Sequence, residues 1–212
     1  MKVFIVYAHP SEDSFTRHAR DSFIKGLEDA GHTYVLSDLY KMGFQTDMSE
    51  AEYLHESNYN LDAPLPDDVV AEQDKINSSE AIVFIYPVFW TEAPAKLVGW
   101  FNRVWTYGFA YSDKKLTTNQ DRGMKQLEKA LVICVAGHGL YHLKEYGHLE
   151  AMKTVMLGDR IFDRAKIKNF IVLPAMSKYA MEAREAYWDD NLKTAYKAGR
   201  NFWLNEAGFI GG

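Results

Sequence analysis

The chain has 212 residues, 47% of them hydrophobic and 14% aromatic, enough to bury roughly 70% of its unfolded surface in one core. Its formal net charge is −5, with no block of consecutive basic residues, which removes the electrostatic attraction on which nucleic-acid binding depends. The only cysteine, Cys134, lies in the apolar run ALVICVA; it has no internal disulfide partner and reads as a buried, inert thiol in a reducing compartment.

No apolar stretch approaches the ~20 residues needed to span a bilayer, and MKVFIVYAHP turns polar too soon for a signal peptide. A cytoplasmic protein with a single domain over residues 1–212 is expected.

The first element is the run KVFIVYA at residues 2 to 8, an apolar, β-branched strand signal. It breaks into the polar loop HPSEDS and resumes as a helix pattern from Ser14 to Ala30, stopped at Gly31. HTYVLSDL, residues 32 to 39, alternates more and suits a strand nearer a sheet edge. Residues 40 to 65 are too long for an ordinary connection and carry turn formers and aromatics, so they read as a functional or interface excursion.

A helix pattern, PDDVVAEQDKINSS, then leads to the strand AIVFIY at residues 81 to 86. PAKLVGWFNRVW is the next helix, with Pro94 in its first turn. The strand ALVICVA spans residues 130 to 136, a helix runs from about His148 to Arg164, NFIVLP at residues 169 to 174 is a fifth strand, and Glu182 to Leu204 is the last helix. Strand and helix alternate throughout, which predicts an α/β fold: a doubly wound, five-stranded parallel sheet in the flavodoxin-like order 2-1-3-4-5. Ligands of such sheets sit at the carboxyl ends of strands 1, 3 and 4.

Three loops meet there. The first, YAHPSEDSFTRH, follows a strand and opens a helix, as phosphate-binding loops do, yet it contains no glycine, so neither common nucleotide motif fits. His9, Ser11, Ser14 and Thr16 supply donors beside a helix N-terminus that favours anions; alternatively Ser14 is only an N-cap and His9 a loop residue. The second loop, YPVFWTEAP, is stiffened by two prolines and offers backbone groups to the rim of a flat heteroaromatic ring, unless Phe89 and Trp90 simply pack on the next helix. The third, AGHGLYHLKEYGH, has Gly137 and Gly139 for close backbone approach and Tyr141, His142 and His148 as donors. His138 and His142 lack carboxylate or thiol company, so no metal site is expected. Phe109 and Tyr111 in YGFAYSD are candidates for an aromatic substrate wall or for plain core.

In this order the segments AHPSEDSF, SDLYKMGF, DVVAEQDKINSSEAIVFIYPVFW, PAKLVGWFNRVW and GFAY resemble the NAD(P)H:quinone acceptor oxidoreductases, the DT-diaphorase type of flavodoxin-like flavoprotein, over roughly residues 2 to 175. GWFNRVW is the most specific of them. The resemblance implies that His9, Ser14, Phe15 and Thr16 hold the phosphate end of a flavin and that Pro87, Val88, Phe89 and Trp90 run along its isoalloxazine edge. Ala136, Gly137 and Gly139 would lie at the pyrimidine end. Tyr141, and His148 with an offset of about one residue, would stabilise negative charge on the reduced ring.

Three departures from the family bear on the substrate. Thr91 stands where the family has Phe, Asp113 replaces a second pocket tyrosine past Tyr111, and the loop after strand 4 is about two residues shorter. Thr91, Phe109 and Tyr111 are the expected substrate-pocket residues.

The implied activity is two-electron, ping-pong reduction of quinone-like acceptors with FAD, or alternatively FMN, as cofactor and NAD(P)H as reductant. The implied assembly is a homodimer, with Tyr53, Tyr59, Trp100 and Trp105 among the aromatics in segments that suit an interface. A flavodoxin-like electron carrier and a redox-sensing regulatory subunit of an ion transporter are the alternatives.

Overall fold

The computed structural model describes residues 1–112 and 123–204; Asp113 lies outside them. Five strands, β1 (Lys2–Tyr7), β2 (Thr33–Asp38), β3 (Ala81–Pro87), β4 (Leu127–Val135) and β5 (Ala165–Leu173), form one sheet in the order β2-β1-β3-β4-β5. Every pairing is parallel. The expected order is therefore the observed one.

Each strand feeds both faces, because alternate side chains point to opposite sides. Phe4, Val6, Phe84, Tyr86, Val132 and Cys134 pack on one face; Val3, Ile5, Val83, Ile85, Leu131 and Ile133 pack on the other. The second face is covered by α1 (Phe15–Asp29) and α7 (Met181–Arg200). These helices approach closely: a Cβ on Gly26 would stand 2.2 Å from the Tyr196 carbonyl oxygen, and one on Gly199 would stand 2.1 Å from that of Phe23.

The first face is covered by α3 (Asp67–Asn77) and α4 (Ala95–Val104). Trp100 of α4 is fully buried between Phe84, Phe101 and Trp105 at centroid distances of 5.8, 5.3 and 5.0 Å. Its indole N–H donates to Glu72 at 2.8 Å. Trp100 thus belongs to the core and not to an interface, correcting the expectation that counted it among interface aromatics.

The excursion after β2 contains a helix, α2 (Glu50–Ser57), started by a capping box between Ser49 and Glu52. Arg103 of α4 pins it down, with Nε donating to Glu52 at 2.6 Å and Nη1 to the Gln45 carbonyl at 3.0 Å. The same guanidinium forks onto Asp68 of α3. Gly99 is needed for this approach, since a Cβ there would meet Thr46 at 2.5 Å.

Two stretches differ from expectation. The segment after β4 is not all loop, because α5 (Leu140–Glu145) forms directly past Gly139. The helix expected from His148 to Arg164 is α6 (His148–Lys153) followed by a π-helical segment over Thr154–Ile161. The wider turns bring the Arg160 carbonyl to the Trp105 indole N–H at 2.6 Å.

Candidate functional site

At the carboxyl ends of β1, β3, β4 and β5 lies a cavity of about 310 Å³. His9, Ser11, Ser14, Phe15 and Thr16 line it from the β1–α1 turn and the start of α1; Pro87, Val88 and Phe89 from β3 and its loop; Val135 and Gly137 from the end of β4 and its loop; and Met176, Lys178 and Arg184 from the β5–α7 connection and the start of α7. The lining combines donors and cations with apolar side chains.

The start of α1 supplies the donors. Ser14 is its N-cap, the side chain accepting the Arg17 N–H at 3.1 Å. The N–H groups of Phe15 and Thr16 precede the first intrahelical bonds, so they stay free for a ligand, and the helix dipole favours an anion there. His9 Nδ1 lies 2.9 Å from the Ser11 N and 3.0 Å from the Ser11 carbonyl oxygen, so the turn engages Nδ1, as acceptor or donor according to the tautomer. Burial lowers the His9 pKa below 6.5, so the ring is neutral near pH 7 and meets a ligand by hydrogen bonding, not as a charge.

Cationic character comes from Lys178 and Arg184. The Arg184 guanidinium lies over the Trp188 ring at 4.6 Å, and its Nε is buried with no hydrogen-bond partner. Asp13 also lines the cavity, its N–H capped by Ser11 Oγ at 3.2 Å. A hydroxyl-rich helix start, two cations and an orphaned buried N–H next to apolar walls suit a ligand with a phosphate at one end and a flat ring at the other.

The β3 loop edge is a tight reversal. Phe89 and Glu92 exchange N–H···O bonds of 2.8 and 3.0 Å across Trp90 and Thr91, whose φ angles are 53° and 66°. That is the geometry of a type I′ turn, made without the usual Asn or Gly. Among the described residues, neither Trp90 nor Thr91 gives its N–H to a backbone acceptor. The Trp90 side chain is 100% exposed, so it does not pack on α4.

The remaining expected residues fall outside the cavity walls. Ala136 is buried, its N–H donating to Leu173 O and its carbonyl accepting from Met176 N, both at 2.9 Å. Gly139 is the N-cap of α5, and Tyr141, 80% exposed, projects from that helix. His148 opens α6 behind Gly147, which has φ 72°. The rings of His138 and His142 stack at 4.1 Å, and His142 lies 5.8 Å from His148. Desolvation, then the neighbouring His138 and His148, lowers the His142 pKa. Among the described residues, no group of His, Cys, Asp or Glu has the arrangement of a metal site.

Phe109 is buried in the core beside α4, which takes it out of a pocket wall within this chain. Tyr111 is 38% exposed and donates to Glu56. Cys134 is fully buried and its thiol pKa is pushed up by burial.

Sequence reading missed Ser11's part in the capping of Asp13, and also Asp13, Val135, Met176, Lys178 and Arg184. The last three follow β5, whose end the topology brings beside β4, but SKYAMEAR carries no motif to advertise it.

A parallel 2-1-3-4-5 sheet with its cavity at the strand ends defines a flavodoxin-like α/β protein. The sequence pattern of the family described as having the flavodoxin-like fold matches residues 1–192. An NAD(P)H:quinone oxidoreductase from Methanothermobacter marburgensis is 43% identical, with a TM-score of 0.85 over 95% of this chain and 96% of that one. NAD(P)H dehydrogenase [quinone] 1 of Rattus norvegicus is 32% identical over 149 residues, 64% of this chain and 53% of that protein. An NAD(P)H oxidoreductase of Haemophilus influenzae is 29% identical over 80% of both chains. The chain belongs to the flavodoxin-like family, in its NAD(P)H:quinone oxidoreductase group. It spans 61%, 53% and 56% of the first three curated relatives. Among the described residues, no helix is long and apolar enough to cross a membrane.

Proposed function

We propose that this protein is a flavin-dependent NAD(P)H oxidoreductase that reduces quinone-like acceptors by two electrons. The observation that carries it is that one cavity is lined both by a helix N-terminus with free N–H groups, neutral His9, Lys178 and Arg184, and by Pro87, Val88 and Phe89. Held there, a flavin would supply the two-electron redox chemistry that links a reduced nicotinamide to the acceptor.

The chain's own residues bind, orient and stabilise. His9, Ser14, Phe15 and Thr16 hold the phosphate end, with Arg184 Nε and Lys178 neutralising its charge. Pro87, Val88, Phe89 and Trp90 fix the ring edge through a stiff loop, and the unpaired N–H groups of Trp90 and Thr91 are its donors. Gly137 and Gly139 let the backbone approach the pyrimidine end, where Tyr141, with His148, donates toward developing negative charge. Thr91 and Tyr111 line the space for the acceptor.

We read the cofactor as FAD, because the long excursion and the His-bearing first loop resemble the FAD-binding branch of the family, and the assembly as a cytoplasmic homodimer. Tyr53, Leu54, Tyr59 and Leu61 are exposed on the excursion, and apolar groups clustered in this way favour a partner surface. Nicotinamide and acceptor occupy the same place in turn, giving ping-pong kinetics.

Acid extraction of the purified protein, followed by steady-state assay with NAD(P)H and a benzoquinone, tests this reading. Released FAD and parallel double-reciprocal lines are expected; a colourless protein with no NAD(P)H oxidation after reconstitution overturns it. Sedimentation of an active monomer would remove the homodimer.

A further inference from the structure

We infer that Glu92 and Arg160 form a positioning pair that holds the Trp90–Thr91 turn in the conformation its ligand needs. The inference deepens the flavin reading and rests on it for the identity of the ligand. Arg160 meets the Glu92 carboxylate with both terminal nitrogens, at 3.0 and 3.3 Å, the fork geometry that fixes orientation as well as distance.

Glu92 is the hub. Its backbone closes the turn through two bonds with Phe89, and its Oε1 also accepts the Ala93 N–H at 2.7 Å. Arg160 is itself anchored, lying over the Phe101 ring at 4.8 Å, with Nη1 3.4 Å from Met156 Sδ and its carbonyl held by the Trp105 indole.

Trp90 and Thr91 are neither glycine nor asparagine, yet both have positive φ. A backbone of that kind persists only where its surroundings over-determine it. The two hydrogen bonds with Phe89 define the reversal but tie it to nothing beyond itself. Arg160, from a π-helical segment 68 residues further along the chain, ties it to α4 and the core. With Glu92 partly exposed, such a pair adds little to global stability. Its consequence is local: the direction of the Trp90 and Thr91 N–H groups beside the cavity.

Arg160→Lys keeps the charge and loses the fork, while Glu92→Gln keeps the shape and loses the charge. Each is expected to raise the Kd for FAD on the order of 10-fold, the loss of about one charge-assisted hydrogen bond, and to shift the bound flavin's visible spectrum and midpoint potential. The double variant is expected to be no worse than the poorer single one, because both break the same contact. Glu128→Gln, which breaks the exposed Lys166 pair, is the control expected to change nothing.

Amide NMR of flavin-free protein separates the two readings. In both single variants the Trp90 and Thr91 resonances are expected to move more than those of α1. If they move but the wild type binds no flavin, the flavin reading fails and the positioning role stands. Wild-type amide shifts in both variants, or wild-type FAD affinity, spectrum and potential in both, would overturn the inference.

Discussion

The Tyr111 hydroxyl donates to Glu56 Oε2 at 2.5 Å, and the same carboxylate accepts the Tyr107 N–H at 3.1 Å from each oxygen. A residue of the excursion thereby orients an expected substrate-pocket tyrosine. Leu61 reinforces the contact by filling the space a Cβ on Gly108 would take, at 2.3 Å. Burial first, and the Glu56 carboxylate second, raise the Tyr111 pKa above 10.0. In an alkaline ultraviolet titration, the difference between wild type and Tyr111→Phe should therefore show no tyrosinate near that value, and Glu56→Gln should bring the signal back toward it. A tyrosine titrating near 10.0 that disappears in Tyr111→Phe would contradict the geometry.

The strained turn gives a stability test. A β-branched residue with φ 66° stores on the order of 1–3 kcal/mol, partly offset by the greater unfolded-state freedom of glycine. Thr91→Gly should therefore raise the thermal midpoint by roughly 2–4 °C for each kcal/mol relieved. Calorimetry checks it; an unchanged or lower midpoint would mean that the threonine side chain makes contacts that repay its backbone.

Removing Arg103 should be severe. It is 5% exposed and serves Glu52, Asp68 and the Gln45 carbonyl together. Burial alone would raise the Glu52 pKa, but Ser49 and Arg103 outweigh it and hold it below 4.5. Arg103→Met leaves that carboxylate buried and unpaired, at about 3–5 kcal/mol. Urea unfolding at neutral pH measures the loss, and limited proteolysis should cut first within residues 40 to 65.

For His9 the sign follows from burial. Its folded pKa lies below the 6.5 of the unfolded chain, so the unfolded state takes up the proton first. The contribution to stability is present above 6.5 and is lost as pH falls through the folded pKa. His9→Asn keeps an acceptor for the Ser11 N–H but does not titrate, so its stability should depend less on pH across that window. Parallel curves for the two proteins would show that His9 is not the group responsible.

The strands were legible because a sheet covered on both faces needs continuous apolar runs, such as AIVFIY. The positions of the β1, β3 and β4 loops followed from that order alone. What sequence hid depends on distance or on local geometry. Arg184 and Lys178 reach the cavity only because β5 lies beside β4. The Glu92–Arg160 pair spans 68 residues. Trp90 is legible in sequence as part of a ring edge or as packing on the next helix, but not as the first residue of a tight reversal, because nothing in YPVFWTEAP announces a turn without glycine. Helix α2 did have a signal, the Ser49-x-x-Glu52 capping box, obscured by the turn formers around it. The π-helical segment has apolar spacing that an α-helix would share.

In the proposed function this cavity holds a flavin that NAD(P)H reduces and a quinone reoxidises. Anaerobic stopped-flow spectroscopy of the FAD-loaded protein, mixed first with NAD(P)H and then with a benzoquinone, tests it directly. The visible flavin absorbance should vanish in the first mix and return in the second. Tyr141→Phe should slow the first phase about 10-fold, the low end for losing one donor at a solvent-exposed site, with flavin occupancy unchanged. A protein that retains no flavin, or whose bound flavin keeps its absorbance under NAD(P)H, would contradict the account.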